Sequence, residues 1–154
     1  MGAAPGTIVI TDYGEGYGSW ATTRPREQDP RGGSGAPAVE RDVPVLTLDE
    51  HCAERGIDHV AVAKIDVEGA ELDVLAGASG LLQAGVVDLL LVEVSDNTTP
   101  TGRRAWELVD LLAAPPLRTY VLRGGRLTPF RAAGRVEFES VVSLSPAGQA
   151  RLGL

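Results

Sequence analysis

The feature that most constrains the fold is an almost unbroken apolar run at residues 86–94, VVDLLLVEV. The run is too short to cross a bilayer, and it carries the acidic residues Asp88 and Glu93. A strand this apolar is typical of the interior of a sheet that is covered on both faces. We therefore predict a buried strand here, and with it a sheet that other elements cover.

The segments around this run alternate between strand and helix patterns. Gly56, Gly85 and the Pro115-Pro116 pair mark the ends of three predicted helices. The predicted elements are strands at 43–48 and 59–66 separated by a helix at 49–55, a helix from about 70 to 85, the strand at 86–94, a helix at 103–114, and final strands at 117–122 and 136–144. This order predicts an α/β fold with an open, mostly parallel sheet and antiparallel C-terminal strands.

The first forty residues differ in composition from the rest. Residues 7–11 (TIVIT) predict a short strand, because β-branched residues dominate them. Residues 13–37 are rich in Gly, Pro, Arg and Asp and show no helical or strand period, so we predict a long flexible loop there. At 154 residues, the whole chain, 1–154, is expected to form a single domain.

Composition excludes several classes of function. The formal net charge of −7 argues against nucleic acid as a partner, because phosphate binding needs a basic surface. No segment is long and apolar enough for a membrane span. The single cysteine, Cys52, rules out an intramolecular disulfide and predicts a reducing, cytoplasmic location.

Three segments together resemble the FkbM family of methyltransferases. They are residues 43–50 (VPVLTLDE), residues 64–78 (KIDVEGAELDVLAGA) and residues 89–94 (LLLVEV). The middle segment is the most specific, because it is long and leads directly into a predicted helix. The resemblance covers about residues 43–146 and, loosely, the opening strand.

The resemblance implies a class I, Rossmann-like methyltransferase fold and S-adenosylmethionine as methyl donor. It further implies O-methylation of a sugar or secondary-metabolite hydroxyl, so the partner would be a small hydroxyl-bearing acceptor. In that family the donor motif lies well upstream of the TLDE segment, and the chain has no room for the intervening elements. We therefore expect a partial fold, the C-terminal portion of the domain, that binds the donor weakly or not at all by itself. The alternative is a non-catalytic fragment or interaction module that needs a partner chain, as a homo-oligomer or through an exposed sheet edge.

The candidate catalytic residues are Asp66, Glu68 and Lys64. Ligands of open α/β sheets bind beyond the carboxyl ends of the strands, where Asp66 is expected, and strand alternation places Lys64 on the same face. Asp66 would orient the acceptor hydroxyl or take its proton, Glu68 would support it, and Lys64 would keep it ionised. Glu93 is a weaker candidate for the same place. A structural interpretation remains open, because acidic residues before a helix also favour its dipole and Lys64 could extend from the sheet to solvent.

Other patterns indicate a site less clearly. Residues 12–18 (DYGEGYG) match a donor-binding glycine turn, but the proline-rich segment after them cannot form the helix that such a turn requires, so both the donor-binding interpretation and a chance match stay open. His51 and Cys52 are adjacent on a predicted helix and cannot both face one metal ion, so no metal site is expected. Trp106 falls on the apolar face of its helix and is predicted to lie in the core.

Overall fold

The computed structural model describes residues 1–13, 39–67, 69–95, 105–130 and 139–154. Within them the chain is a mixed α/β structure. In chain order the elements are β1 (Gly6–Asp12), β2 (Val39–Val45), α1 (Leu48–Arg55), β3 (Val60–Ile65), α2 (Glu71–Ala76), α3 (Ser79–Ala84), β4 (Val87–Val94), α4 (Ala105–Leu112), β5 (Arg118–Arg123), β6 (Arg126–Pro129), β7 (Glu139–Leu144) and α5 (Pro146–Leu152). None of the five helices in these ranges has the length and hydrophobicity needed to cross a bilayer.

The main sheet has five strands in the order β3-β4-β7-β5-β6. Only β3 and β4 pair in parallel, whereas β4–β7, β7–β5 and β5–β6 pair antiparallel. The antiparallel C-terminal strands are as predicted. The sheet is mixed rather than mostly parallel, because β7 runs opposite to β4 and β5 and lies between them.

The apolar run at 86–94 forms the buried strand that the sequence predicts. One face of β4 contributes Leu90, Val92 and Val94 to a core cluster with residues of α2 and α4. The other face contributes Leu89 and Leu91 to a smaller cluster with Tyr120, Val142 and Leu144. Burial of this strand from both sides fixes the carboxyl ends of β3 and β4 relative to the helices.

The single helix predicted at about 70–85 is in fact two short helices, α2 and α3, separated at Gly77 and Ala78. Gly77 cannot carry a side chain, because a Cβ there would lie 2.0 Å from the carbonyl oxygen of Gly2. Its own carbonyl accepts the Asp49 N–H at 2.9 Å, so α1 meets the chain at the break. Tertiary contacts therefore interrupt a segment whose local pattern favours one continuous helix.

Strands β1 and β2 form a separate two-stranded antiparallel sheet. The strand predicted at 43–48 begins earlier and ends earlier, at 39–45, because Thr47 caps helix α1 instead of extending the strand. Helix α5 was not predicted. Ser145 caps it, and the Ser145 hydroxyl accepts the Gly148 N–H at 3.1 Å.

Candidate functional site

The candidate site lies where β3 ends. Ile65, the last residue of the strand, is buried in the main core cluster, while Lys64 and Asp66 on either side of it are exposed. Alternation along a strand directs Lys64 and Asp66 to the same face, as predicted. The core therefore fixes the strand while its charged neighbours face solvent.

Lys64 and Asp66 form an ion pair, with Lys64 Nζ donating to Asp66 Oδ2 at 2.8 Å. The hydrogen bond that Lys64 donates to Asp66, and then the negative charge of Asp66, raise the pKa of the Lys64 ammonium, and the charge of Glu93 adds to this effect. Lys64 is thus a full positive charge at neutral pH. The structure brings these two predicted residues together in direct contact.

Glu93 belongs to the same site. The parallel register pairs Ile65 of β3 with Val92 of β4, so Asp66 and Glu93 each follow the last paired residues by one step. We call Lys64, Asp66 and Glu93 the strand-end cluster. The negative charge of Glu93 also raises the pKa of Lys64, so the three side chains interact electrostatically.

A hydrogen bond in the protein interior stabilises the turn that follows Asp66. Glu68, the third predicted catalytic residue, lies outside the described residues. Gly69 is buried and has φ +101°, a conformation that residues with side chains rarely adopt. Its N–H donates to Oε1 of Glu71 at 3.1 Å in the interior.

A family model supplies the comparison that decides the identity of the domain. The model of the methyltransferase FkbM domain matches residues 5–120. This chain belongs to the FkbM methyltransferase family. No curated protein and no solved structure matched the chain. The match reaches upstream of the resemblance noted in the sequence and includes β1 and β2.

In this FkbM domain, the side chains of the TLDE segment stabilise the starts of two helices. Thr47 and Glu50 form a capping box at the start of α1, in which the Thr47 hydroxyl accepts the Glu50 N–H at 3.0 Å. Asp49 reaches across to α3, where its two carboxylate oxygens accept the N–H groups of Gly80 at 2.8 Å and Leu81 at 3.0 Å. These side chains stabilise α1 and α3, and their contacts suggest no catalytic role.

The remaining patterns contribute nothing to the described site. Cys52 is buried, and no group of three or more His, Cys, Asp or Glu side chains in the described ranges is arranged to hold a metal ion. Asp12 Oδ2 pairs with Arg41 Nε at 3.3 Å across the two-stranded sheet. Residues 14–18 of the glycine pattern and residues 14–37 of the predicted loop lie outside the described residues. The prediction for Trp106 was wrong, because its side chain is 47% exposed.

Sequence reasoning missed two buried carboxylates of this FkbM domain. Glu71 is only 5% exposed, although it lies in the first turn of α2, where a favourable interaction with the helix dipole needs no burial. Asp88 is also buried, and its Oδ2 lies 3.0 Å from His59 Nε2 and 3.2 Å from Arg151 Nη1. The only signal for Asp88 was an acidic residue inside an apolar run, which implies a partner supplied by the fold.

Proposed function

We propose that this protein takes part in S-adenosylmethionine-dependent methyl transfer to a hydroxyl of a sugar or other secondary metabolite, in a reducing cytoplasm. Membership of the FkbM methyltransferase family supports the reaction class. The observation that carries the assignment to this site is the Lys64–Asp66 ion pair at the carboxyl end of a parallel strand pair. We assign no donor-binding residue among the described ones.

Asp66 has the chemistry that an acceptor hydroxyl needs. When bound, the donor supplies a methyl group on a positively charged sulfur. Asp66 accepts the hydrogen bond of the acceptor hydroxyl, which orients its oxygen, and takes the proton as the oxygen gains its methyl group. Lys64 Nζ donates to Asp66 Oδ2 at 2.8 Å and so places a positive charge beside this carboxylate, and Glu68 is proposed to support it.

The test is a transfer assay with S-adenosylmethionine labelled in its methyl group and a panel of sugar and polyketide alcohols as acceptors. The donor is supplied at millimolar concentration, because the chain is expected to bind it weakly. We expect labelled methyl ether from the wild type and much less from Asp66→Asn. A folded wild-type protein that labels none of the hydroxyl acceptors would refute the proposal.

The open edge of β3 favours a second candidate, a module that pairs with another chain. In the described part of the chain β3 ends the sheet, and its Val62 side chain is 62% exposed. Val60 N–H bonds to Val86 on the β4 side, so the backbone groups of Ala61 and Ala63 face the open side. An edge of this kind is suited to accept a strand from a partner. Absence of transfer together with stable association would favour this function.

A further inference from the structure

We infer that Glu71 is a positioning residue, which fixes the turn carrying Asp66 by accepting the Gly69 N–H inside the protein. The inference rests on the proposed function for its catalytic consequence. Its structural part concerns the Glu71 carboxylate, the Gly69 amide and the strand-end cluster, and stands independently of any reaction.

The first support is the burial of Glu71. A carboxylate removed from water is unfavourable unless hydrogen bonds compensate it, and the described contact is the one with Gly69. A role limited to the helix dipole would not require burial, because Asp73 occupies the same first turn while exposed. The burial of Glu71 therefore points to a specific partner, and that partner is the backbone of the turn.

The second support is the location of Gly69. The turn begins at Ile65 in the core and ends at Glu71 in the interior, while Asp66 and Val67 between them are exposed. Gly69 is buried, and because glycine adopts many backbone conformations, a hydrogen bond is needed to hold it at its positive φ. Glu71 supplies that bond, so the path of the chain after Asp66 depends on it.

The hydrogen bond between Glu71 and Gly69 also affects the Lys64–Asp66 ion pair. Lys64 lies on the strand, whereas Asp66 is the first residue of the turn, so the 2.8 Å contact between them requires the turn to keep its shape. Loss of the Glu71–Gly69 bond should let the turn move and weaken the Lys64–Asp66 pair. Under the proposed function, kcat would then fall by about 10- to 100-fold while KM for the acceptor changes little, because a displaced catalytic group costs rate rather than affinity.

The strength of the Lys64–Asp66 ion pair can be measured by titrating Lys64, without a catalytic assay. Lys64 is the only lysine in the sequence, so carbon-13 labelled lysine gives one Cε resonance whose titration reports the pKa of Lys64. Because Asp66 raises that pKa, a weakened pair returns it toward the ordinary value of lysine. The Asp66→Asn variant defines the value that corresponds to full loss of the pair.

Three substitutions of Glu71 distinguish the effect of its hydrogen bond to Gly69 from the effect of its negative charge. Glu71→Gln keeps an acceptor oxygen but removes the charge, whereas Glu71→Ala removes both and Glu71→Leu removes both while filling the space. Asp73→Asn is the matched control, since it neutralises an exposed carboxylate in the same helical turn. Circular dichroism at each pH shows that every variant remains folded, and Glu71→Leu replaces Glu71→Ala if the latter does not.

We expect wild-type, Glu71→Gln and Asp73→Asn proteins to share one raised pKa for Lys64, and Glu71→Ala or Glu71→Leu to give a lower value, between those of the wild type and Asp66→Asn. An unchanged pKa in the Ala and Leu variants overturns the inference, and so does a Gln variant that behaves like Ala. If the wild type transfers no methyl group, the proposed function fails while the Lys64 titration still decides the role of Glu71. If transfer occurs and kcat survives loss of the pair, the catalytic consequence is wrong.

Discussion

Asp66 and Lys64 are separated by one residue, and that residue, Ile65, is buried while both of them are exposed. A substitution at Asp66 therefore changes the charge at the strand end without disturbing the core. Because the charged side chains are exposed and the core residue lies between them, the effects of a substitution at Asp66 on turnover and on stability can be measured separately.

We predict that Asp66→Asn lowers kcat by about 10²- to 10⁴-fold, the range typical for loss of a general base, while the melting temperature moves little. The reason for the small stability effect is exposure of both partners of the ion pair. Initial rates of methyl transfer and thermal unfolding of the same preparations check this. Asp58→Asn, an exposed carboxylate just before the other end of β3, serves as control and should match the wild type in both.

A lower melting temperature with intact turnover in Asp66→Asn would assign Asp66 a structural role. Glu68→Gln provides a second comparison and should show a smaller loss of kcat than Asp66→Asn. If instead Glu68→Gln lowers stability with near-normal turnover, its role is in the helix start.

Residues whose role follows from local spacing could be predicted from the sequence. Lys64 and Asp66 are an example, because alternation along a strand is enough to place them on one face. Glu71 and Asp88 could not be predicted as buried, because their surroundings come from distant parts of the chain. His59 and Arg151, which surround Asp88, lie before β3 and in α5.

At the scale of elements, helix α3 depends on a side chain from α1. Asp49 accepts two of the backbone N–H groups at the start of α3, which would otherwise lack partners in the helix. A helix of only six residues has little intrinsic stability, so its position depends on contacts of this kind.

We predict that Asp49→Ala destabilises the protein by about 1–2 kcal/mol, the usual cost of removing a helix cap. Urea unfolding measures the change, and Asp49→Asn should lose less because it keeps one acceptor oxygen. Glu54→Ala is the control, since it removes an exposed carboxylate from the same helix, α1. Equal stabilities of Asp49→Ala and Glu54→Ala would mean that the bonds to Gly80 and Leu81 contribute nothing.

Local sequence patterns predict the type of an element more accurately than they predict where it begins and ends. The sequence predicts helix throughout 70–85, and it is right about the type and wrong about the break. The break depends on the close approach of Gly2 and on the bond from Asp49 to the Gly77 carbonyl, neither of which the segment itself encodes. Thr47 likewise favours a strand by its residue type, yet its hydroxyl serves better as a cap.

At the scale of the whole molecule, the open edge of β3 is the feature most relevant to association. Val62 is a large apolar side chain on a strand whose outer side pairs with no other strand among the described residues. Lys64 is the only charged residue of that strand. Natural edge strands use charges to prevent pairing, so a second charge should block association.

We predict concentration-dependent association of the wild type that Val62→Lys abolishes. Light scattering coupled to gel filtration measures the molar mass across a dilution series. Leu122→Lys is the matched control, because Leu122 is 60% exposed but lies on β5, which has neighbours on both sides. A monomeric wild type at every concentration, or equal effects of both variants, would contradict pairing through β3.

The position of β7 has a consequence for how the protein is made. This strand comes after every other strand in the chain, yet it lies between β4 and β5 and bonds to both. Until residues 139–144 leave the ribosome, the growing chain holds two incomplete sheets, β3-β4 and β5-β6, each with an open edge. The five-stranded sheet cannot be completed before residues 139–144 have been synthesised, so these two edges are open to aggregation during that interval.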